Sequence, residues 1–158
     1  MKKIIILFFS ALLILSVSNQ NLYAQYETMS MSFNAGVHTD DSFSFDPFFW
    51  TAGLVLDINM GDYLMLSPEC FVIVNKFEFG FTNLAPAVLL NFRFESLFLG
   101  GGITKWWNVD DFSEPSDFML KLNAGFKGRN LKLTAYLITG FEDFLENNLV
   151  GATLGFYF

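Results

Sequence analysis

The sequence predicts an all-β fold, namely an eight-stranded antiparallel up-and-down transmembrane β-barrel that follows a cleaved signal peptide. Three observations support this fold class. Eight segments beyond residue 28 alternate between apolar and polar residues, as strands do when their two faces meet different environments. The chain is 53% hydrophobic and 16% charged, whereas soluble domains have about 25% charged residues. Beyond the leader, no apolar run reaches the roughly 20 residues that a membrane-spanning helix needs.

The N-terminus has the layout of a secretory signal. Residues 1–3 form a short basic segment, an apolar run follows from Ile4 to Val17, and a polar stretch then ends at Ala24. This order is typical of a cleaved signal peptide, and the apolar run is too short to cross a bilayer as a helix. We therefore expect a signal peptide at residues 1–24, export, and a barrel at residues 25–158. A retained N-terminal anchor helix is the alternative that the length disfavours.

The alternating segments have the length and spacing of barrel strands. Strands of roughly ten residues, tilted as in outer-membrane barrels, span an apolar band of about 25 Å. In the fifth segment the glycines 100–102 interrupt the alternation, and the facing of that strand stays open. The predicted strands are 29–38, 50–60, 63–75, 83–94, 97–108, 118–127, 131–137 and 150–158.

The connections alternate between short and long. Short links lie near Gly61, Glu95 and Arg129, and outer-membrane barrels have short periplasmic turns and longer outer loops. Basic residues gather at the short-turn end, at Arg93, Lys127, Arg129 and Lys132. Acidic residues gather in the long connections, at Asp40, Asp41, Asp46, Asp110, Asp111, Glu114, Asp117, Glu142, Asp143 and Glu146.

Alternation alone does not decide which face meets lipid, because a soluble lipocalin-type barrel also has eight strands, with its apolar face inside. Here the polar face is rich in Ser, Thr, Asn and Gly and poor in charge, which makes a poor soluble surface. Aromatic residues also cluster near the strand ends, as an interfacial girdle would. These aromatics are 48–50, Phe92, Phe94, Trp106, Trp107, Phe118 and 156–158. The apolar face is therefore predicted to contact lipid.

The end and the middle of the chain resemble known outer-membrane barrels. Gly155-Phe156-Tyr157-Phe158, which closes an alternating strand, is similar to the C-terminal signature by which such barrels are recognised for insertion, with Leu154, Phe156 and Phe158 as the signal residues. The segments 66–69, 83–90 and 99–102 resemble the porin-type outer-membrane β-barrel domain family, and the broader likeness is to small barrels of OmpA and OmpX type. The resemblance implies the outer membrane, assembly by the insertion machinery and a monomer, but no particular activity.

An eight-stranded lumen is just wide enough to be filled by side chains, so no wide pore is expected. Enclosed charges need partners or water. We predict a polar network of Asp57, Glu69, Arg93, Lys121 and Lys132, with Glu69 near Lys121 and Asp57 near Arg93 or Lys132. Separate hydrated charges near the barrel mouths are the alternative. Other side chains predicted to face inward are Asn123, Lys127, Phe71, Met119 and Tyr136.

We expect a structural or surface-interaction role for this outer-membrane barrel and no enzymatic activity. A narrow small-solute channel or transporter is the alternative. A lipid-modifying enzyme is less favoured, because the only histidine, His38, lies near Asp40, Asp41 and Ser42 without the spacing of a catalytic triad. His38 is instead interpreted as a polar rim residue. A soluble binder of lipocalin type is the least favoured.

Composition also limits the partners. The formal net charge of −7 argues against nucleic acid. The single Cys70 forms no Cys/His cluster, and no cofactor or metal site is predicted. The expected partners are outer-membrane lipid, the insertion machinery, and an extracellular ligand or lipopolysaccharide at the acidic loops, where carboxylates can bind divalent cations. Loops whose acidic tips are simply solvated are the plainer interpretation.

Overall fold

The computed structural model describes residues 28–40, 48–75, 82–109, 117–141 and 148–158. The predicted signal peptide at residues 1–24 and its cleavage site lie outside these ranges. Among the acidic residues of the predicted long loops, Asp40 and Asp117 are described, and the others lie outside these ranges. No helix in the described ranges is long and apolar enough to cross a membrane.

Eight strands form the described part of the chain, and they match the eight alternating segments. Strand β5 has two segments separated by Trp106, and both pair with β4, so they form one barrel strand. The strands are β1 (Met29–Asp40), β2 (Phe48–Met60), β3 (Leu64–Asn75), β4 (Thr82–Phe94), β5 (Leu97–Lys105 and Trp107–Asn108), β6 (Phe118–Lys127), β7 (Leu131–Gly140) and β8 (Leu149–Tyr157).

The sheet closes on itself. Each strand pairs antiparallel with the next along the chain, and β1 pairs antiparallel with β8. In that closing pair Ser32 lies opposite Tyr157 and Phe33 opposite Phe156. A closed sheet leaves no strand edge with unpaired backbone groups. The predicted all-β, up-and-down antiparallel barrel is confirmed.

The two faces of the wall follow the predicted alternation. Outward side chains are apolar and exposed, for example Leu133 at 53% and Leu154 at 44%. Inward side chains such as Ser32 and Asn34 are polar and buried. A lipocalin-type barrel would show the reverse, with apolar side chains enclosed and polar ones in water. The distribution fits a wall whose outside contacts hydrocarbon.

The structure assigns the facing of β5, which the sequence left open. Leu99 and Ile103 are exposed on the outside, whereas Phe98 and Thr104 are buried inside. A Cβ built on Gly102 would lie 1.9 Å from the backbone oxygen of Val88. The neighbouring backbone therefore approaches β5 so closely that only glycine fits at this position, a common use of glycine in strands.

The adjacent glycines of β5 provide a matched test of this close approach. A Cβ on Gly102 meets backbone, but a Cβ on Gly101 first meets the end of the flexible Leu122 side chain, at 2.9 Å. We expect Gly102→Ala to lower the free energy of unfolding by about 1–3 kcal/mol, the usual cost of overpacking, and Gly101→Ala to change it much less. Denaturant unfolding of the refolded barrel, followed by gel mobility, measures both. Equal midpoints for Gly102→Ala and the wild type would contradict this account of β5.

Candidate functional site

The lumen at the short-turn end is organised around one carboxylate. Asp57 lies on β2 and is completely buried. Lys132 donates from Nζ to Asp57 Oδ1 at 2.7 Å, and Lys127 Nζ lies 3.4 Å from Oδ2. The Ser67 hydroxyl donates to Oδ1 at 2.7 Å, and the Tyr157 hydroxyl donates to Oδ2 at 2.6 Å. Asp57 therefore joins side chains from β2, β3, β6, β7 and β8.

Arg93 occupies the same end but has a different partner. Its Nη1 donates to Asn59 Oδ1, and the ion pairs of Asp57 within the described residues go to Lys132 and Lys127. Of the two partners considered for Asp57 from the sequence, the structure places Lys132 in contact. A further hydrogen bond, from Asn91 Nδ2 to Ser67 Oγ at 3.0 Å, extends the network to β4.

A second charged layer lies nearer the long-connection end. Lys121 on β6 forms an ion pair with Glu69 on β3, and both side chains are only 7% exposed. The Lys121 ammonium also lies 4.3 Å from the ring centroid of Tyr136 and 5.0 Å from that of Phe71. A cation over an aromatic face gains electrostatic stabilisation, more so when it is removed from water. The burial of this pair does not fit separate hydrated charges at the mouths.

Each lysine of the two layers combines an acidic partner with an aromatic ring. Lys132 lies 5.1 Å from the ring centroid of Phe98, and Lys127 lies 5.1 Å from that of Tyr157. Rings and carboxylates together replace part of the hydration that the ammonium groups lose inside the barrel. Among the other predicted inward residues, Asn123 is buried and Met119 half-buried.

His38 lies inside the barrel and is not a rim residue, so that interpretation is wrong. It is buried, and its Nδ1 forms a hydrogen bond with the Tyr136 hydroxyl at 3.2 Å. Its ring stacks on Phe49 with centroids 4.9 Å apart and lies 5.6 Å from Trp106. The alternation in β1 places the even positions, including 38, on the face toward the lumen. This pattern was the sequence signal that the His38 side chain is enclosed. Of the other residues considered for catalysis, Asp40 ends β1, whereas Asp41 and Ser42 lie outside the described residues.

Three aromatic residues assigned to the predicted girdle face the lumen, so that prediction is wrong for them. Trp50, Phe92 and Phe118 are exposed on the outer face. Phe49 and Trp106 instead pack against the buried cluster of Val55, Phe71, Ile73 and Ala85, and Tyr157 binds Asp57 in the lumen. The strand positions of these three residues have inward parity. Parity, rather than aromatic character, decides which aromatic rings face lipid.

The space left beside the Glu69–Lys121 layer is small. A cavity lined by Lys121, Tyr136 and Thr104 has a volume of about 10 Å³, which is room for about one water molecule. The described residues contain no group of three or more His, Cys, Asp or Glu side chains that could hold a metal ion. Cys70 is exposed on the outer face. The arrangement is therefore a packed, charge-compensated interior.

Solved transmembrane barrels share this architecture. The de novo designed TMB2.3 superposes with a TM-score of 0.61 at 11% identity, over 82% of this chain and 94% of that one. A structure from the de novo design of transmembrane β-barrels gives 0.57 at 11% identity, over 82% and 95%. The N-terminal β-barrel domain of OprF from Pseudomonas aeruginosa gives 0.52 at 15% identity, over 82% and 97%. This chain has the fold of a small transmembrane β-barrel.

These identities show a shared fold alone. No family model and no curated protein matches the sequence. The barrel therefore has to be interpreted from its own residues, of which the two charged layers of the lumen are the most specific feature.

The Glu69–Lys121 pair can be tested with a double-mutant cycle. Glu69→Leu leaves the Lys121 ammonium buried without its counter-charge, and we expect a loss of about 3 kcal/mol in the free energy of unfolding. Glu69→Leu combined with Lys121→Met removes both charges at similar volume and should unfold much closer to the wild type. Denaturant unfolding in detergent micelles is measured for the wild type, for each single variant (Glu69→Leu and Lys121→Met) and for the double variant. Additive effects of the two substitutions would show that the pair is not coupled.

Proposed function

We propose that this chain is an outer-membrane barrel with a structural or surface-interaction role, and that its lumen is closed to solutes. The observation that carries the proposal is the pair of charged layers across the lumen, Asp57 with Lys132 and Lys127, and Glu69 with Lys121. An ion crossing the lumen would have to displace buried pairs whose separation leaves uncompensated charges in a low-dielectric interior. This cost opposes the alternative of a narrow solute channel.

The outer face supports location in a membrane. Exposed apolar side chains occur on all eight strands or their ends, and inward positions carry the polar groups. Lipid offers backbone groups no hydrogen bonds, and a closed barrel is the β-structure that meets this condition. The outer membrane is the compartment where such small barrels are usual, and it agrees with the exported leader expected from the sequence.

Assembly would use the last strand. Leu154 and Phe156 are exposed on the outer face of the barrel, and Phe158 is exposed directly beyond the end of β8, where an insertion machinery can contact them. Their apolar side chains and the alternating strand are the features such recognition needs. We propose that the barrel is inserted through this strand and acts as a monomer.

The surface role belongs to the long-connection end. The acidic residues of that end include Asp117, which is exposed, and most of the others lie outside the described residues. Carboxylate oxygens bind hard divalent cations, so this end would meet lipopolysaccharide or another extracellular ligand through bridging cations. We propose no enzymatic activity, because the one histidine is enclosed by Phe49, Trp106 and Tyr136.

Planar-bilayer recording tests the closed lumen. We expect no conductance steps from the refolded wild type, because both layers block the path of a hydrated ion. A variant that removes every ion-paired side chain of both layers, with Asp57, Glu69, Lys121, Lys127 and Lys132 all changed to Ala, should give small steps and would show that the assay detects an opened lumen.

The outer surface supplies the matched control for that recording. Leu122→Ala with Leu133→Ala removes two exposed side chains and leaves the lumen unchanged, so this variant should be silent. Regular conductance steps from the wild type would favour the channel and reject the closed structural barrel.

A further inference from the structure

The short-turn end contains an open cavity that the structural role does not use. This vestibule has a volume of about 540 Å³, within the range of small-molecule sites. Its polar lining comes from the last residues of β6, the turn into β7 and the facing strands. The lining residues are Ser30, Asn59, Lys127, Gly128, Arg129, Asn130, Tyr157 and Phe158.

The charges around the vestibule are unbalanced. Lys127 and Arg129 line it, Arg93 is bound to the lining residue Asn59, and Lys132 lies beneath it on Asp57. Within the described ranges, Asp57 is the one acidic side chain in this buried network. The acidic turn residues of this end, Asp62 and Glu95, are exposed and are not part of the lining. Among the described residues the vestibule therefore has a local excess of positive charge, in a chain whose formal net charge is −7.

Asp57 is already occupied by other donors. It accepts hydrogen bonds from Ser67, Lys132 and Tyr157. Lys127 lies 3.4 Å from it and donates its hydrogen bond to Ser30 Oγ at 3.0 Å instead. The Nε of Arg93 is buried and has no hydrogen-bond partner among the described residues. Buried polar groups are normally satisfied, and an exception indicates a missing partner. A negatively charged group in the vestibule would compensate the cations that the single carboxylate of Asp57 does not neutralise.

We propose that the vestibule is a binding site for a small oxyanion, one with carboxylate or phosphate oxygens, that enters from the short-turn end. Arg129 presents a planar guanidinium fork suited to paired oxygens, and Lys127 adds a second positive charge. Hydrogen bonds between ionised groups are shorter and stronger than neutral ones. This assignment depends on the barrel and not on the surface role of its loops.

Titration calorimetry with citrate, and separately with inorganic phosphate, tests the site in the refolded barrel held in an uncharged detergent. We expect saturable binding of one anion per barrel that weakens as NaCl rises. Arg129→Gln should weaken the binding about tenfold or more, since it removes a charge-assisted contact. Arg129 is exposed in a turn, so this variant should fold as the wild type does, which heat-modifiable gel mobility verifies.

The matched control is Lys105→Gln. Lys105 lies at the other end of the barrel, 5.1 Å from the ring centroid of Phe118, and the substitution changes the net charge by the same amount as Arg129→Gln. We expect it to leave the anion affinity unchanged. Absence of saturable binding by either anion would overturn the proposal. Equal weakening by Arg129→Gln and Lys105→Gln would overturn it too, because binding would then reflect overall charge.

Discussion

The structure depends on one constraint, which is that a strand surrounded by hydrocarbon must find all its backbone hydrogen bonds within the protein. The chain meets this constraint when β1 pairs with β8, from Ser32 opposite Tyr157 to Asp40 opposite Leu149. Without that pair both strands would be edges, each with a row of unsatisfied N–H and C=O groups. Closure therefore couples the first and last strands of the sequence.

Closure also creates the enclosed interior and its chemistry. Asp57 and Lys132 are 75 residues apart in sequence, and Glu69 and Lys121 are 52 apart, yet both pairs meet inside the barrel. A carboxylate or an ammonium alone in such a space would be strongly disfavoured, so the interior must pair its charges once the wall has closed. At the short-turn end the cations outnumber the enclosed carboxylate, and the vestibule opens at this point.

Much of this arrangement follows from period-two alternation. It predicts eight strands, the lipid-facing set and the inward position of residues such as Glu69 and Lys121, because side-chain direction depends only on parity once a residue is in a strand. The facing of β5 did not follow, since glycine at 100–102 removes the side chains that carry the pattern. Phe49, Trp106 and Tyr157 were assigned to the girdle by their chemistry, although their parity places them inside.

Contacts across the lumen are harder to predict than facing. The choice between Lys132 and Arg93 as the partner of Asp57 depends on the stagger between strands, which sets the height of each side chain in the lumen. A pattern read along one strand contains no information about that stagger. The rings of Phe49, Trp106 and Tyr136 that enclose His38 come from three other strands of the barrel. Their meeting also depends on the stagger between strands.

The most direct measurement is the environment of single outward side chains. In a Cys70→Ala background, spin labels at Leu122→Cys, Leu154→Cys and the exposed turn position Asp62→Cys report collisions with oxygen, which partitions into hydrocarbon, and with a water-soluble nickel complex. For the barrel refolded in lipid bilayers, we expect labels at 122 and 154 to collide mainly with oxygen, and the label at 62 to collide mainly with the nickel complex. Free access of the nickel complex to the labels at 122 and 154 would contradict a lipid-facing outer wall.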